Sequence, residues 1–349
     1  MSHTEQQKAL FLQSKQGEFA VGLHSIPKPG NDEVLIQVYS VALNPVDHKI
    51  QEYGVFVENY PAVIGEDIAG MVVEVGEGVS NFVKGDKVFT HGDFANDRAA
   101  FQQFTLGVVD FTAKIPDNLG YDDTATIPLA FDTASTGLYN SNKYGFGLTP
   151  PWVLHGIGKY SGTPIIILGG ASAVGSYVIQ LASLSGFSPV ITTASLAHEE
   201  HLKSLGATHV LDRHLPASAL QNFLRALPSL PKIKFVYDAI SLPETQQVGW
   251  SLLAPKGRMV TTLPELVKEE EGKERQAIRT FGSPYVDENK ELCRGSRGMI
   301  SKWLEKGIIK PLKYEVLPNG LEGIIEGLER LKKGQVSGKK LVAHPQDTR

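Results

Sequence analysis

Residues 165–175, IIILGGASAVG, concentrate the chain's clearest chemical signal. Four apolar residues run into Gly169-Gly170, small residues follow, and behind Gly175 the residues Val178, Ile179, Leu181, Ala182 and Leu184 recur at helical spacing. The pattern predicts a buried parallel strand, a tight turn and a helix. Backbone N–H groups at a helix start carry partial positive charge, and small side chains let a pyrophosphate approach them. The stretch therefore reads as a dinucleotide site. The G-x-G-x-x-G spacing is absent, and a glycine-rich strand-to-helix turn occurs in other α/β folds, so the surroundings must decide.

About 20 residues past such glycines, an Asp or Glu commonly holds the ribose 2′-hydroxyl of NAD. Here the next apolar run ends Thr192-Thr193-Ala194-Ser195, with His198, Lys203 and Arg213 downstream. A neutral, hydroxyl-rich end followed by cations can receive a 2′-phosphate that a carboxylate would repel. NADPH is the expected cofactor. The nearest acids, Glu199 and Glu200, suit the first turn of a helix. Arg213 has two readings, a phosphate partner or a surface partner of Asp212. Asp238, ending the run KFVYDA, either contacts adenosine or caps the following turn.

The elements that must position these residues follow from the alternation along the chain. The first hundred residues read as β-rich: Val34 to Val41 alternates, Gly70 to Val75 is a short apolar run, and Gly76-Glu77-Gly78 and Lys84-Gly85-Asp86 supply turns. Helical segments begin at Thr124. After Pro164, strands at 165–168, 190–193, 208–211, 235–239 and 258–262 alternate with helices at 173–185 and 198–205, which implies a doubly wound parallel sheet of about six strands. Beyond Gly282, a helix near 296–306, a strand near 312–316, a helix at 321–333 and a strand at 340–343 carry no nucleotide signature. This tail is expected to return to the N-terminal β domain. Residues 145–163, with adjacent prolines and several glycines, read as a loop that either flanks a substrate cleft or is an exposed insertion.

Composition narrows the class. The 349 residues suggest two domains. With 42% hydrophobic residues, 21% charged and a formal net charge of −4, there is no basic stripe for nucleic acid. No run is long and apolar enough to span a membrane, and the N-terminus lacks the apolar core of a secretory signal, so a cytoplasmic protein is expected. Cys293, the single cysteine, excludes an intrachain disulfide and a Cys-rich zinc cluster, and is assigned no role.

Six segments in order, VALNPVDHK (41–49), IGEDIAGMVVEVGEGVSNFVKGDKV (64–88), IPLAFDTASTGLY (127–139), GGASAVG (169–175), TTASLAHEEHLKSLGATHVLDR (192–213) and GQVSGKKLV (334–342), resemble the medium-chain dehydrogenase/reductase superfamily. The resemblance implies an α/β fold: a GroES-like β-rich domain from 1–125 and 285–349, and a Rossmann doubly wound parallel sheet from 126–284. Metal-using members carry Cys where this chain has Asn44, and Gly-His-Glu where it has Gly65-Glu66-Asp67. No metal is therefore expected, and alcohol oxidation, which needs a Lewis acid, is disfavoured. The zinc-less branch is similar in its Asn-Pro-x-Asp motif. Within it the chain looks most like fungal enoyl reductases, including those that work beside polyketide synthases.

That resemblance implies reduction of an activated C=C bond in a small or thioester-bound unsaturated carbonyl substrate. A quinone or carbonyl reductase and a non-catalytic NADPH-binding partner are the alternatives. It also implies cofactor contacts from Val46, Asp47, His48, Lys49, Thr133, Ser172, Ala173, Val174, Gly175, Ser195, His198 and Leu263; Arg213 is a candidate beside them that stands where relatives often have Tyr, so both of its readings are kept. Lys49 would steady charge on the carbonyl oxygen. Tyr53, with Tyr60 as competitor, would give the proton. His91 and His155 have no role in this reading, and both monomer and homodimer fit.

Overall fold

The computed structural model describes residues 5–267 and 274–349. The chain divides into two compact units: unit 1 comprises residues 1–129, 297–307 and 311–349, and unit 2 comprises 130–296 and 308–310.

Unit 1 is the β-rich one. Strands β1 (Gln6–Leu12), β2 (Phe19–Ser25) and β3 (Glu33–Ala42) lead into helix α1 (Pro45–Tyr53). There follow β4 (Ala62–Val63), β5 (Asp67–Val75), β6 (Lys87–His91), β7 (Phe104–Val108), β8 (Thr112–Lys114) and the short helix α2 (Tyr121–Ala125). α1 is bounded by local chemistry. Asn44 precedes a proline at the first helical position, the Asp47 carboxylate accepts the Asn44 backbone N–H at 2.7 Å, and Gly54 stops the helix at φ +61°.

Unit 2 opens within α3 (Pro128–Tyr139) and alternates thereafter: β9 (Ile165–Leu168), α4 (Ala173–Leu184), β10 (Val190–Ala194), α5 (Glu199–Ser204), β11 (His209–Asp212), α6 (Ala217–Ala226), β12 (Phe235–Asp238), α7 (Pro243–Leu252), β13 (Arg258–Thr261) and β14 (Gln276–Arg279). Helix α8 (Asp287–Glu305) carries the chain back into unit 1, which closes with β15 (Tyr314–Val316), α9 (Gly320–Lys332) and β16 (Lys340–Ala343).

Among the described residues, unit 2 holds a six-stranded sheet in the order β11-β10-β9-β12-β13-β14, parallel throughout. β9 lies inside the sheet because it is wholly apolar, and the chain order reverses beside it. Ile166, Leu168, Ile191, Val236 and Met259 form the core with Trp250 of α7. In unit 1 the largest sheet runs β15-β16-β3-β5-β6-β8 with β7 also on β3, and a second sheet is β2-β1-β4. Leu10, Ile36, Val72, Leu321 and Leu341 belong to one buried cluster there. No helix among the described residues is long and apolar enough to cross a membrane.

Two local expectations change. Tyr53 is the last residue of α1 rather than part of the following loop, because the capping pattern that encloses 45–53 has only Ile50 as a buried apolar residue and gives periodicity nothing to register. α8 begins at Asp287, nine residues before the expected start, since its inward positions include Cys293, Ser296 and Arg297 besides Ile300, Trp303 and Leu304.

Candidate active site

In unit 2 the site residues gather where parallel strands end. β9, β10, β11, β12 and β13 all run the same way, so Gly169, Ser195, Arg213, Asp238 and Leu263 stand at or just past one edge of the sheet. Gly169 turns at φ +80°, and its N–H reaches the Thr193 carbonyl at 3.1 Å. α4 starts at Ala173 with Ser172 as its cap, the Ser172 hydroxyl accepting the Gly175 N–H at 3.0 Å. The first amides of a helix have no partner within it, so those of Ala173 and Val174 face outward from the turn.

A Cβ on Gly175 would lie 2.2 Å from the Gly169 carbonyl oxygen, and one on Gly170 would lie 2.2 Å from the Thr192 hydroxyl. Both glycines are thus required by close approach of the helix start to the strands. The result is a cradle of amides walled by small side chains, which fits a pyrophosphate. Its donor set fits the pyrophosphate of a dinucleotide cofactor.

Ser195 is half-buried, and its carbonyl accepts the His198 N–H at 3.0 Å. Arg213 lies next to it in space, because the Arg213 N–H donates to the Ala194 carbonyl at 3.0 Å. The Arg213 side chain is exposed and meets His214 at 3.3 Å, while Asp212 accepts the His214 N–H at 2.8 Å. Among the described residues Arg213 makes no ion pair with Asp212. Lys203 is held by Glu199 at 2.7 Å.

Asp238 belongs to its turn. Its carboxylate accepts N–H groups from Ile240 (3.0 Å) and Ser241 (2.8 Å) and the Thr245 hydroxyl (2.7 Å). Burial pushes its pKa up and those bonds oppose the shift. Thr133, in α3, is buried, with its carbonyl accepting the Tyr237 hydroxyl at 2.7 Å and Gly282 packed against it. The Leu263 carbonyl accepts the Thr261 hydroxyl at 2.8 Å.

In unit 1, α1 brings Val46, Asp47, His48, Lys49 and Tyr53 onto nine consecutive residues. Burial lowers the pKa of Lys49, with Glu52 opposing. Burial also lowers that of His48, followed by the Lys49 charge; His48 Nδ1 lies 3.6 Å from Glu52. Asp47 is fully buried, and burial, then the Glu66 charge, raises its pKa well above the usual range. Tyr53 is 59% exposed and its hydroxyl has no hydrogen bond among the described residues, whereas the Tyr60 hydroxyl donates to the Val57 carbonyl at 3.1 Å.

One group escaped sequence reasoning. The Lys340 ammonium is 3% exposed and donates to Asn44 Oδ1 at 2.8 Å and to Asp67 Oδ2. Asn44 Nδ2 donates to the same Asp67 oxygen at 2.8 Å, and Asp67 Oδ1 accepts the Leu129 N–H at 2.7 Å. Glu66 and His91 are buried beside this strand, 3.8 Å apart. Among the described residues, no three His, Cys, Asp or Glu side chains stand together as a metal site. The available signal was Asp67 itself, an acid at the head of an apolar strand, which needs a partner when buried.

Comparison with known proteins places this arrangement. Residues 30–117 match the alcohol dehydrogenase GroES-like domain and 173–262 the zinc-binding dehydrogenase domain. The trans-enoyl reductase himH of Aspergillus japonicus is 33% identical over 319 residues, 89% of each chain. The trans-enoyl reductase TOXD of Cochliobolus carbonum is 38% identical over 241 residues, covering 68% of this chain and 76% of that one. An alcohol dehydrogenase superfamily protein from Novosphingobium aromaticivorans shares the fold with a TM-score of 0.79 at 22% identity, over 96% of this chain and 98% of the other. The quinone oxidoreductase from Coxiella burnetii does so with a TM-score of 0.71 at 24% identity, over 97% and 99%. With a glycine cradle at the sheet edge, a β-rich unit of GroES type and relatives along nearly its whole length, the chain belongs to the medium-chain dehydrogenase/reductase superfamily of oxidoreductases.

Proposed function

We propose that the protein is a zinc-independent, NADPH-dependent reductase of carbon–carbon double bonds conjugated to a carbonyl, acting on enoyl, enone or 2-alkenal substrates. The observation that carries this reading is the donor set in unit 1. At Asn44, Glu66 and Asp67 there is an amide and two carboxyls, with no thiolate; the imidazole beside them, His91, lies 3.8 Å from Glu66, and the Lys340 ammonium engages Asn44 and Asp67. Such a set is ill matched to the Zn²⁺ that would prepare an alcohol for hydride loss. An activated alkene needs no such preparation, only polarisation of its carbonyl and a proton. Relatives named trans-enoyl reductases agree with it.

When bound, the nicotinamide supplies the hydride. The chain's residues bind and orient. The amides of Ala173 and Val174, the Ser172 hydroxyl and the bare face of Gly175 would meet the pyrophosphate. Ser195, His198 and Arg213 would receive the 2′-phosphate. Val46, Asp47 and His48 are read as cofactor residues of unit 1, and Thr133 and Leu263 as cofactor residues of unit 2. Lys49 would steady the charge developing on the substrate oxygen, and the Tyr53 hydroxyl, which no described residue engages, would deliver the proton to the α carbon. The substrate is a small-molecule or thioester-bound unsaturated carbonyl compound, and a polyketide synthase is the partner the thioester-bound form would bring.

The test is NADPH oxidation, followed by absorbance, against enones, enoyl thioesters, quinones and aldehydes. Turnover is expected with the first two. Consumption of quinones or aldehydes alone, or of no acceptor, would overturn the reading.

A further inference from the structure

We propose that Lys340 is a positioning residue: its buried ammonium fixes the N-terminus of α1 through Asn44, and so sets where Val46, Asp47, His48 and Lys49 stand. The link to function rests on the reading of those four residues given above; the mechanical part does not. The chain leaves β3 at Ala42 and enters α1 at Pro45, so only Leu43 and Asn44 join strand to helix. Leu43 is tied by its N–H to the Leu341 carbonyl at 2.9 Å. Asn44 is tied by its side chain, whose Oδ1 accepts the Lys340 ammonium at 2.8 Å and whose Nδ2 donates to Asp67 at 2.8 Å. The Asn44 backbone N–H then donates to Asp47 Oδ2 at 2.7 Å inside the first helical turn. A continuous series of bonds therefore runs from β16 to the start of α1.

Charge balance alone does not account for this geometry. An ammonium opposite Asp67 would be needed by any buried carboxylate, but the bond from Lys340 to Asn44 neutralises nothing. A lysine has three donors, and here two of them close a triangle whose third side is the Asn44–Asp67 bond. Such a triangle fixes direction as well as distance. The other end of α1 is held separately, Gln16 Nε2 donating to the Glu52 carbonyl and Gln51 Nε2 to the Gly17 carbonyl, both at 2.8 Å, so the triangle bears on the start of the helix.

The experiment compares Lys340→Met with the pair Lys340→Met/Asp67→Asn, which removes both buried charges, and with Asn44→Ala, which keeps the ion pair and cuts its link to α1. Three readouts are taken: Tm, amide hydrogen exchange across Val46 to Ile50 without cofactor, and the kinetic constants for NADPH. Lys340→Met should lower Tm, and the pair should restore most of it. In the pair and in Asn44→Ala, exchange across α1 should still rise about tenfold while that of α4 stays at the parent's level. KM for NADPH should rise at least about fivefold with kcat within about twofold. Return of both exchange and KM to parent values in the folded pair would make Lys340 a counter-charge only and overturn the proposal. Should the pair fail to fold, unchanged exchange in Asn44→Ala would overturn it as well. Faster exchange in a protein whose parent neither binds nor oxidises NADPH would sink the functional reading and leave the positioning role standing.

Discussion

On the proposed function, Ser195→Asp should turn the sheet edge from one suited to a 2′-phosphate into one suited to a 2′-hydroxyl. The Arg213 N–H bonds to the Ala194 carbonyl at 3.0 Å, so positions 195 and 213 occupy neighbouring strand ends about 4.8 Å apart. Two unit charges 4 Å apart interact by about 1 kcal/mol in bulk water and about 4 kcal/mol near a protein surface. With Ser195 half-buried and Arg213 exposed, a new carboxylate facing a 2′-phosphate should cost about 2 kcal/mol, or about 30-fold in NADPH affinity. The same carboxylate accepts a hydrogen bond from the 2′-hydroxyl of NADH, a gain of about 1.5 kcal/mol, or about tenfold. The ratio of kcat/KM for NADPH over NADH, measured with one acceptor, should therefore fall about 300-fold. Arg213→Ala should weaken NADPH alone, by about fivefold, and more so at low salt. A ratio that moves less than about fivefold in Ser195→Asp would refute the placement of Ser195 opposite the 2′ position.

Three further outcomes are expected. Tyr53→Phe should lower kcat about 100-fold with no change in Tm, since the side chain is exposed, whereas Tyr60→Phe should cost about 1 kcal/mol of stability through the lost bond to Val57 and leave kcat near the parent's; the reverse pattern would reassign the proton donor. Burial holds the Lys49 ammonium below its ordinary 10.5, so activity that needs this cation should fall as pH rises through the lowered value, and Lys49→Arg should push that limb to higher pH; an unmoved limb would exclude Lys49 from it. Burial and Glu66 raise Asp47 above its ordinary 3.8, so between 3.8 and the folded value the native state binds the extra proton and stability falls with rising pH; Asp47→Asn keeps an acceptor for the Asn44 N–H and removes that loss. The Tm advantage of Asp47→Asn over the parent should accordingly grow as pH rises from 3.8 through the raised folded value, and parallel pH profiles would contradict the raised pKa.

Much of the dinucleotide unit is legible because its signal is local. Ile165–Leu168 is a strand as read, since four apolar residues bounded by Pro164 and two glycines have few other fates in an α/β chain. Helix α4 follows from its spacing, and the strand ends at Ala194, Asp212, Asp238 and Thr261 fall within a residue of those anticipated. What escaped does so for physical reasons. β14, with the sequence QAIR, is an edge strand with polar ends and only Ile278 buried. The hairpin β1–β2 was not separated from the general β character of the N-terminal region, because the residues of β2 alternate between half-buried and exposed and include Gly22.

The candidate site divides along the same line, and the division explains which half was readable. The proposed phosphate cradle is one contiguous segment, so the spacing of Gly169, Ser172 and Gly175 is nearly its geometry, and backbone amides would do the binding whatever the neighbouring side chains are. The α1 end is assembled from Asn44, Asp67 and Lys340, the last two separated by 273 positions in the chain. Lys339 and Lys340 are adjacent and chemically identical, yet one is 40% exposed and paired with Glu315 at 2.5 Å, while the other is 3% exposed. Strand alternation alone makes them different, and it tells which lysine turns inward only once the register of β16 against β15 and β3 is fixed. A buried acid such as Asp67 does announce that a cation must exist somewhere. To find it, a reader of sequence must ask which lysine opens a strand that is otherwise wholly apolar, and in this chain the run KLVA meets that condition.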